Sequence, residues 1–355
     1  MVIGVPRERK KEEYRVGCLP ETVSLLAGKG HKVLVERGAG SGAGISDKEY
    51  VDAGAGICHT PGELYGKSRL IVKVKEPLPE EFPLLREGQI LFTFFHFAAD
   101  AAMTQTLIEK RVHCFAYELV EDKGGFPILA PMSEIAGRLA PQQGAKYLEK
   151  EYGGKGVLLS GGYKARKGRV VVVGGGVVGM NAASISCGMG ADVVILELSP
   201  GRADFLKRHF GKRCRVEISS RENLEREIQS ADVIIGAVMV AGARAPRVLG
   251  REDLDRIEDG SVLVDVAIDQ GGCFETSRPT THATPVFEER GVIHYCVANM
   301  PGIVPRTSTF SLVAAATPYT ILLADKGIDG VKENLPLSRG YAIGNGKILN
   351  SRIIP

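Results

Sequence analysis

Four side chains suited to acid–base and anion chemistry stand at the ends of apolar, strand-like segments of the sequence. They are Arg15, Lys75, His96 and Asp269. A guanidinium can bind a carboxylate through two hydrogen bonds, an ammonium can polarise a carbonyl, and an imidazole can transfer protons near neutral pH. Because ligands of open α/β sheets bind beyond the carboxyl ends of the strands, this placement predicts a reactive site. Asp269 belongs to the second of two predicted α/β units, so we expect the four to meet in a cleft between domains.

Each of these residues also has an ordinary structural explanation. A histidine beside phenylalanines is more often a core residue than a catalyst, and Arg15 lies in a charged segment that could face solvent. Lys75 alternates with Lys73, as on an exposed strand face, and Asp269 precedes a Gln-Gly-Gly turn that it could simply cap. Their shared position at strand ends favours function over these alternatives.

A glycine-rich loop follows a run of four valines in VVVVGGGVVG (170–179). Gly174, Gly176 and Gly179 form the pattern G-x-G-x-x-G, which is weak alone but more specific between a strand and a small-residue helix. There the first glycine makes a turn, the second lets the backbone approach a pyrophosphate, and the third lets helix and strand pack closely. The helix N-terminus then faces the phosphates, so the loop predicts a dinucleotide site, with a plain glycine turn as the alternative.

Glu197 ends the next predicted strand, DVVILE, 23 residues after Gly174. An acid at this point can bind the two hydroxyls of an adenosine ribose. Its charge would repel a 2′-phosphate, so NAD is predicted rather than NADP. Arg202, five residues further along, could pair with such a phosphate and keeps NADP as the alternative.

The remaining sequence predicts two α/β units with parallel sheets, because strand-like segments alternate with helical patterns. A helix is predicted to begin with Ser133 as its N-terminal cap and to end near residue 150. The predicted strands are VIGVP (2–6), KVLVE (32–36), RLIVKVK (69–75), QILFTFF (89–95), VHCFAY (112–117), the valine run, VVILE (193–197), VIIGAV (233–238), SVLVDVAID (261–269) and VIHYCV (292–297).

Composition argues against several classes of protein. The chain has 355 residues, a net charge of +3 and no long basic block, so nucleic acid is not indicated as a partner. Seven scattered cysteines form no metal-ligand motif and are typical of reduced thiols in a cytosolic protein. The charged start, MVIGVPRERKKEEYR, does not indicate a signal peptide, and the apolar runs are shorter than the roughly 20 residues that span a bilayer.

Longer segments, in order along nearly the whole chain, resemble the alanine dehydrogenase family, whose fold is shared by the NAD-binding component of transhydrogenases. The matching segments are EYRVGCLPETV (13–23), LIVKVKEPLPEE (70–81), QILFTFFHFAA (89–99), LAPMSEIAGRLA (129–140), VVVVGGGVVGMNAA (170–183), ADVIIGAV (231–238), VLVDVAIDQGGCFETSRPTT (262–281) and VANMPGIVPRTST (297–309).

The resemblance implies an α/β fold of two doubly wound Rossmann-like domains. These are a discontinuous substrate domain of residues 1–128 and 306–355, and an NAD-binding domain of residues 129–305. The implied reaction is the reversible oxidative deamination of L-alanine to pyruvate, ammonia and NADH. The resemblance further implies a cytoplasmic homo-oligomer, a hexamer, with no metal ion and no membrane or nucleic-acid partner.

Roles for individual residues follow from the same resemblance. Arg15 and Lys75 match substrate ligands, and His96 and Asp269 match an acid/base pair. The residues predicted to contact NAD, the three glycines included, are Ser133, Gly174, Gly176, Val178, Gly179, Glu197, Arg202, Ser219, Val238, Met239, Val266, Ala267, Ile268, Asp269, Arg278, Val297, Ala298, Asn299 and Met300.

The chain also departs from the family pattern and leaves other functions to consider. GGYKARKGR (161–169) stands where the family often has G-G-V-P-G, and Glu197 replaces a common aspartate. A transhydrogenase component needs neither His96 nor a carboxylate-binding arginine, so both argue against it. The full set of motifs argues against a saccharopine-type dehydrogenase with a larger substrate. The intact reactive set argues against a catalytically silent NAD-binding protein.

Overall fold

The structure is a computed structural model that describes residues 1–97, 100–238 and 245–353. The chain divides into two units, Met1–Met132 with Gly302–Pro355, and Ser133–Pro301. The strands are β1 (Val2–Val5), β2 (Lys32–Glu36), β3 (Gly56–Cys58), β4 (Leu70–Val72), β5 (Ile90–Thr93), β6 (His113–Ala116), β7 (Arg169–Val173), β8 (Asp192–Glu197), β9 (Arg215–Ile218), β10 (Val233–Gly236), β11 (Val262–Asp265), β12 (Val286–Glu289), β13 (Val292–Tyr295), β14 (Tyr341–Gly344) and β15 (Lys347–Ile348). The α-helices are α1 (Pro20–Gly28), α2 (Asp47–Asp52), α3 (Pro61–Lys67), α4 (Ala101–Glu109), α5 (Ala130–Tyr147), α6 (Val177–Gly188), α7 (Pro200–Phe210), α8 (Arg221–Ile228), α9 (Pro305–Lys326) and α10 (Leu335–Gly340).

The described residues of the first unit form an eight-stranded sheet in the order β15-β14-β6-β5-β4-β1-β2-β3. The strands from β3 to β6 in this order are parallel, and β14 and β15 add an antiparallel edge. Read along the sheet, the parallel part has the order 3-2-1-4-5-6 of a Rossmann fold. β5 pairs with β6 so that Thr93 lies opposite Ala116. The segments after these two strands therefore start side by side.

The second unit repeats this arrangement in its own seven-stranded sheet, as far as its residues are described. The order is β12-β13-β11-β10-β7-β8-β9. All neighbours from β9 to β13 are parallel, again in the order 3-2-1-4-5-6, and β12 pairs antiparallel with β13 at the edge. The predicted α/β fold of two doubly wound domains is confirmed.

Several strands end earlier in the structure than the sequence predicts. β4 ends at Val72 rather than residue 75, β5 at Thr93 rather than 95, and β11 at Asp265 rather than 269. Most apolar residues beyond these ends are nevertheless buried, for example Val74 and Phe95. A few backbone hydrogen bonds continue there, such as Phe94 N–H to the carbonyl oxygen of Val74 at 3.2 Å, but regular pairing has ended. Lys75, His96 and Asp269 therefore stand three or four residues past their strands.

The helix predicted to begin at Ser133 begins earlier, at Ala130. Pro131 lies in its first turn, where a proline costs no hydrogen bond because the first N–H groups of a helix have no intrahelical partner. Ser133 therefore stands within the first turn and is not the residue before it. The capping prediction for Ser133 is wrong for this reason.

Helix α9 is long and apolar enough to cross a membrane, by length and composition only. Core helices of globular proteins meet the same criterion. α9 packs in the first unit, where Thr317 and Thr22 of α1 hydrogen bond at 2.8 Å and Thr309 accepts from the N–H of Val16 at 3.4 Å. Leu312 and Leu323 are fully buried there. We therefore describe α9 as a core helix.

The glycine loop joins β7 to α6 through two glycines that no other residue replaces without strain. Gly174 has a φ of +98°, a backbone conformation that glycine adopts readily. A Cβ on Gly179 would lie 1.8 Å from the carbonyl oxygen of Gly174. The two residues thus make the turn and the close packing that the pattern predicts.

Gly179→Ala is expected to lower the melting temperature, because α6 must move away from the loop to admit a methyl group. Overpacking of this kind costs about 1–3 kcal/mol, which corresponds to a drop of several degrees in Tm. Gly188→Ala is the matched control in the same helix, since no described atom lies within 4 Å of its added Cβ. Thermal unfolding followed by circular dichroism measures both, and an equal Tm for the two variants would contradict the packing argument.

Candidate active site

Arg15 is buried in the segment after β1, where Glu13 holds its guanidinium. Arg15 Nε and Nη2 donate to the two carboxylate oxygens of Glu13 at 2.7 and 2.5 Å, and the Arg15 N–H donates to Glu13 Oε1 at 3.0 Å. The Nη1 atom lies 3.1 Å from the sulfur of Met132. Because Arg15 is 2% exposed, it is not the surface residue that its charged neighbours suggested. Its plane is fixed by a bidentate ion pair.

The charge of Glu13 is stabilised by the cations around it. Burial alone would raise the pKa of Glu13, but the charge and hydrogen bonds of Arg15, together with the charge of Lys75, lower it to about 2. Glu13 therefore stays ionised across the neutral range and keeps Arg15 oriented.

Lys73 and Lys75 are both buried, at 1% and 5% exposure, which rules out the exposed strand face. Lys73 Nζ lies 2.6 Å from Glu81 Oε1 and 3.6 Å from Glu8 Oε2. Burial favours loss of the Lys73 proton, but the charges of Glu8 and Glu81 outweigh it and raise the pKa of Lys73. Burial likewise raises the pKa of Glu8, to about 7. Lys73 is thus the centre of a buried ionic cluster beneath the segment that carries Lys75.

The backbone around Lys75 is held on both sides. The N–H of Val74 donates to Glu8 Oε1 at 2.6 Å. The hydroxyl of Thr93, at the end of β5, donates to the carbonyl oxygen of Lys75 at 2.8 Å. These bonds fix the path of the chain past β4 and so fix where the Lys75 side chain begins.

His96 stands three residues beyond β5 and is half-buried. Its φ is +52°, a left-handed conformation that side chains other than glycine rarely adopt. Its ring stacks on Phe94 with centroids 5.8 Å apart and planes 8° apart. A half-buried imidazole on a strained backbone differs from the enclosed core histidine that the phenylalanines could suggest.

Asp269 stands on a loop that the buried Asp265 organises. Asp265 accepts hydrogen bonds from the N–H groups of Ala267 and Cys273 at 3.0 and 2.8 Å, and from the Ser277 hydroxyl at 2.5 Å. Asp269 itself is exposed, in the short 3₁₀ turn Ile268–Gln270. Its carboxylate accepts from the N–H of Asn299 at 3.3 and 3.4 Å, so it does more than cap its own turn.

Glu197 is tied directly to the glycine loop. Its Oε2 accepts from the N–H of Gly175 at 2.8 Å, and its Oε1 accepts from Ser199 at 2.8 Å. Arg202 Nε donates to the carbonyl oxygen of Gly175 at 2.8 Å, and its guanidinium lies over the ring of Phe205. The acid and the arginine that bear on the choice between NAD and NADP therefore both contact the same loop.

Most residues predicted to contact a dinucleotide share one edge of the second sheet. They follow the carboxyl ends of parallel strands, which meet at the same edge. These residues stand at or just past the ends of β7 to β11 and β13. They are Gly174, Gly176, Val178, Gly179, Glu197, Ser219, Val238, Val266, Ala267, Ile268, Asp269, Val297, Ala298, Asn299 and Met300.

The other predicted contacts lie elsewhere. Ser133 precedes Gly137 on α5 by one turn, and Gly137 approaches α6 so closely that a Cβ would lie 2.3 Å from the carbonyl oxygen of Val178. Arg278 stacks on Phe287 of the antiparallel edge strand β12, 4.2 Å from the ring centroid. Met239 lies outside the described residues.

The glycine loop offers space that a ligand could use. Gly176, the residue before α6, is exposed, and no described atom lies within 4 Å of a Cβ built on it. Across residues 1–97, 100–238 and 245–353, no group of three or more His, Cys, Asp or Glu side chains could hold a metal ion. The first unit offers groups suited to anion binding and proton transfer, and the second unit has a loop of dinucleotide-binding type.

Comparison with known proteins assigns the chain. Residues 4–136 match the sequence model of the alanine dehydrogenase/PNT N-terminal domain, and residues 140–351 match that of the C-terminal domain. The chain belongs to the alanine dehydrogenase/PNT family. Family membership covers both units and is independent of any single motif.

Individual relatives agree with this assignment. An alanine dehydrogenase of Methanococcus maripaludis is 47% identical over 98% of this chain and 94% of its own length. Another, of Mycolicibacterium smegmatis, is 44% identical over 99% of this chain and 96% of its own. A solved L-alanine dehydrogenase structure superposes with a TM-score of 0.96 at 42% identity, covering 99% of this chain and 98% of that one. A transhydrogenase of Sinorhizobium meliloti, with a TM-score of 0.83 at 22% identity, shares the fold.

Sequence reasoning selected candidate side chains but missed the acids that bind the backbone next to them. Glu13, Glu8 and Asp265 each bind backbone N–H groups next to a candidate residue. A faint signal existed for Asp265 and Glu13, since each lies within four residues of a candidate side chain. Glu8 is separated from Val74 by 66 residues, so no local pattern could have indicated it.

Glu13→Gln is expected to destabilise the protein at neutral pH by about 3 kcal/mol, the equivalent of the pKa change from 4.5 to about 2. Because the folded-state pKa lies below the unfolded value, this contribution is present above pH 4.5 and is lost as the pH falls towards 2. The difference between wild type and variant in the urea concentration at the unfolding midpoint should therefore become smaller when the pH is lowered from 7 to about 3.5. Glu21→Gln, an exposed residue of α1, is the control, and a pH-independent gap would contradict the assigned cause.

Proposed function

We propose that the protein catalyses the NAD-dependent, reversible oxidative deamination of L-alanine to pyruvate, ammonia and NADH. Relatives that are named alanine dehydrogenases and are 44 to 49% identical over at least 92% of this chain carry the proposal. The site supports it independently, because the first unit supplies two buried cations and a half-buried imidazole. A small amino acid presents a carboxylate and a nitrogen to such groups.

Arg15 is proposed to bind the substrate carboxylate, and its fixed guanidinium plane suits a planar anion. Lys75, also buried, is proposed to contact the substrate oxygen or nitrogen at Cα. In the direction of amination its charge would polarise the carbonyl of pyruvate. Both cations come from segments held by buried acids, so they are oriented before substrate arrives.

Removal of hydride from Cα requires a neutral amine, because an ammonium has no electron pair to form the C=N bond. The product of hydride loss is an iminium, which water must attack before ammonia leaves. His96 is proposed to move the protons of these steps, since an imidazole changes charge near neutral pH. Asp269 is proposed to orient the attacking water or ammonia, or to share the proton transfers.

The second unit is proposed to bind NAD, which supplies the hydride acceptor of the reaction. The exposed Gly176 fits a loop that a pyrophosphate approaches, and Glu197 fits a ligand of the ribose hydroxyls. The predicted contacts at the same sheet edge, from Ser219 to Met300, are proposed to hold the remainder of the cofactor. Ser133, Arg278 and Met239 enter the proposal from the family resemblance alone.

The roles of the two domains and the setting of the enzyme are part of the same proposal. Residues 1–128 with 306–355 are assigned to substrate binding and residues 129–305 to NAD. We further propose a cytoplasmic homohexamer. Analytical ultracentrifugation of the purified protein would test the oligomeric state, and a monomer would exclude the hexamer.

The direct test is the initial rate of NADH oxidation at an absorbance of 340 nm with pyruvate and ammonium. Turnover is expected with all three reactants and is expected to be lost when ammonium is omitted. NADPH and bulkier 2-oxo acids serve as the comparison substrates. Turnover with a larger oxo acid but none with pyruvate would exclude alanine as the substrate. Tight NADH binding without turnover on any acid would instead favour a transhydrogenase-like or sensing function.

His96→Ala is expected to lower kcat by about 100-fold or more, the usual contribution of a positioned acid or base, while NADH binding stays close to that of wild type. Steady-state kinetics and fluorescence titration with NADH measure the two effects. His59→Ala, in the loop after β3, is the histidine control and should leave both unchanged. Unaltered turnover of the His96 variant would exclude the proposed role.

A further inference from the structure

A carboxylate from a neighbouring strand end binds the backbone of His96. Glu118 Oε1 accepts a hydrogen bond from the N–H of His96 at 2.7 Å. The same carboxylate accepts from the N–H of Phe95, at 3.1 Å to Oε1 and 3.3 Å to Oε2. Two successive peptide groups of the histidine segment therefore depend on one side chain.

The sheet register explains why Glu118 is in reach. Thr93 of β5 lies opposite Ala116 of β6, so the residue two positions past β6 stands beside the residue two positions past β5. β5 and β6 are parallel neighbours, but their ladder ends at this pair. Beyond it, the N–H groups of the histidine segment need new acceptors. The half-buried Glu118 supplies one through its side chain.

The hydrogen bond from the His96 N–H to Glu118 matters because His96 has an unusual backbone conformation. His96 has a φ of +52°, and left-handed backbone is unfavourable for a residue other than glycine because its Cβ crowds the backbone. Such a conformation persists where the surroundings determine it. Stacking of the His96 ring on Phe94 orients the side chain, but the peptide preceding Cα is oriented through its N–H.

We propose that Glu118 is a positioning residue, which holds the His96 backbone in the left-handed conformation and thereby sets the direction of the imidazole. This inference rests on the proton-transfer role proposed for His96. Glu118 acts through its hydrogen bonds to the peptide and not on the substrate. An uncharged acceptor of the same shape should therefore replace it.

The test compares two substitutions of similar size. Glu118→Met keeps the length of the side chain and removes the acceptor, whereas Glu118→Gln keeps an acceptor oxygen and removes the charge. Glu121→Gln is the control on the same segment, since Glu121 pairs with Arg339 and Arg352. For each variant, kcat, the KM values for pyruvate and NADH, the Tm and the affinity for NADH are measured.

Glu118→Met is expected to lose up to about 100-fold in kcat, the effect of misplacing a reacting group by about 1 Å, with NADH affinity unchanged. Glu118→Gln and Glu121→Gln should keep kcat close to wild type. Wild-type kcat in Glu118→Met would overturn the inference. An equal loss in Glu118→Gln would also overturn it, because charge and not the hydrogen bond would then be at work.

Two further measurements separate this inference from the function on which it rests. In a His96→Ala background, Glu118→Met should cause no additional loss, because no imidazole remains to be positioned. An inactive His96→Ala with an active Glu118→Met overturns the inference alone, whereas an active His96→Ala overturns both. Hydrogen exchange of the wild-type peptide that spans Phe95 and His96 provides a test without substitution. Slow exchange is expected, and exchange at the rate of an unstructured peptide would overturn the inference.

Discussion

The position of each candidate side chain depends on how peptide N–H groups are satisfied once the β-ladders end. Beyond the carboxyl end of a strand, the backbone has lost its neighbour but is still partly buried, so it needs acceptors. In both units carboxylates supply them: Glu8 past β4, Glu118 past β5, Glu197 past β7 and Asp265 past β11. Each binds a peptide within a few residues of a side chain to which we assign a role.

This arrangement orients reactive groups without long structured loops. A carboxyl side chain carries two acceptor oxygens, so one acid can bind successive peptide groups, as Glu118 does at Phe95 and His96. Around Arg15 and Lys75 the acid is Glu13, whose pKa is lowered by the charges of both cations. In the Glu13–Arg15 pair, the acid that neutralises the cation also fixes the plane of the guanidinium.

The sequence was informative about the fold and about candidate residues, and less so about the contacts that hold those residues. The valine run, the glycine spacing and Glu197 indicated the second sheet, and strand-end polar residues indicated the first. The ends of β4, β5 and β11 were predicted too late in the chain, since most apolar residues past these strands remain buried. The short strands β3, β9, β12, β14 and β15 were not predicted. All except β14 are edge strands, and segments of two to four residues carry little apolar pattern. The supporting acids depend on the register between segments far apart in sequence, which no local pattern contains.

The split of the first unit along the chain has a consequence for biosynthesis. Tyr341 of β14 pairs with Phe115 of β6, and the whole of Ser133–Pro301 lies between them in sequence. A ribosome that has released residue 301 has already supplied every strand of the second sheet, and domains of this kind fold as units while synthesis continues. The first sheet still lacks its antiparallel edge at that moment, and an open strand edge is a template for wrong pairing. The unit that carries Arg15, Lys75 and His96 is thus completed last, and during synthesis its open sheet edge needs protection from wrong pairing.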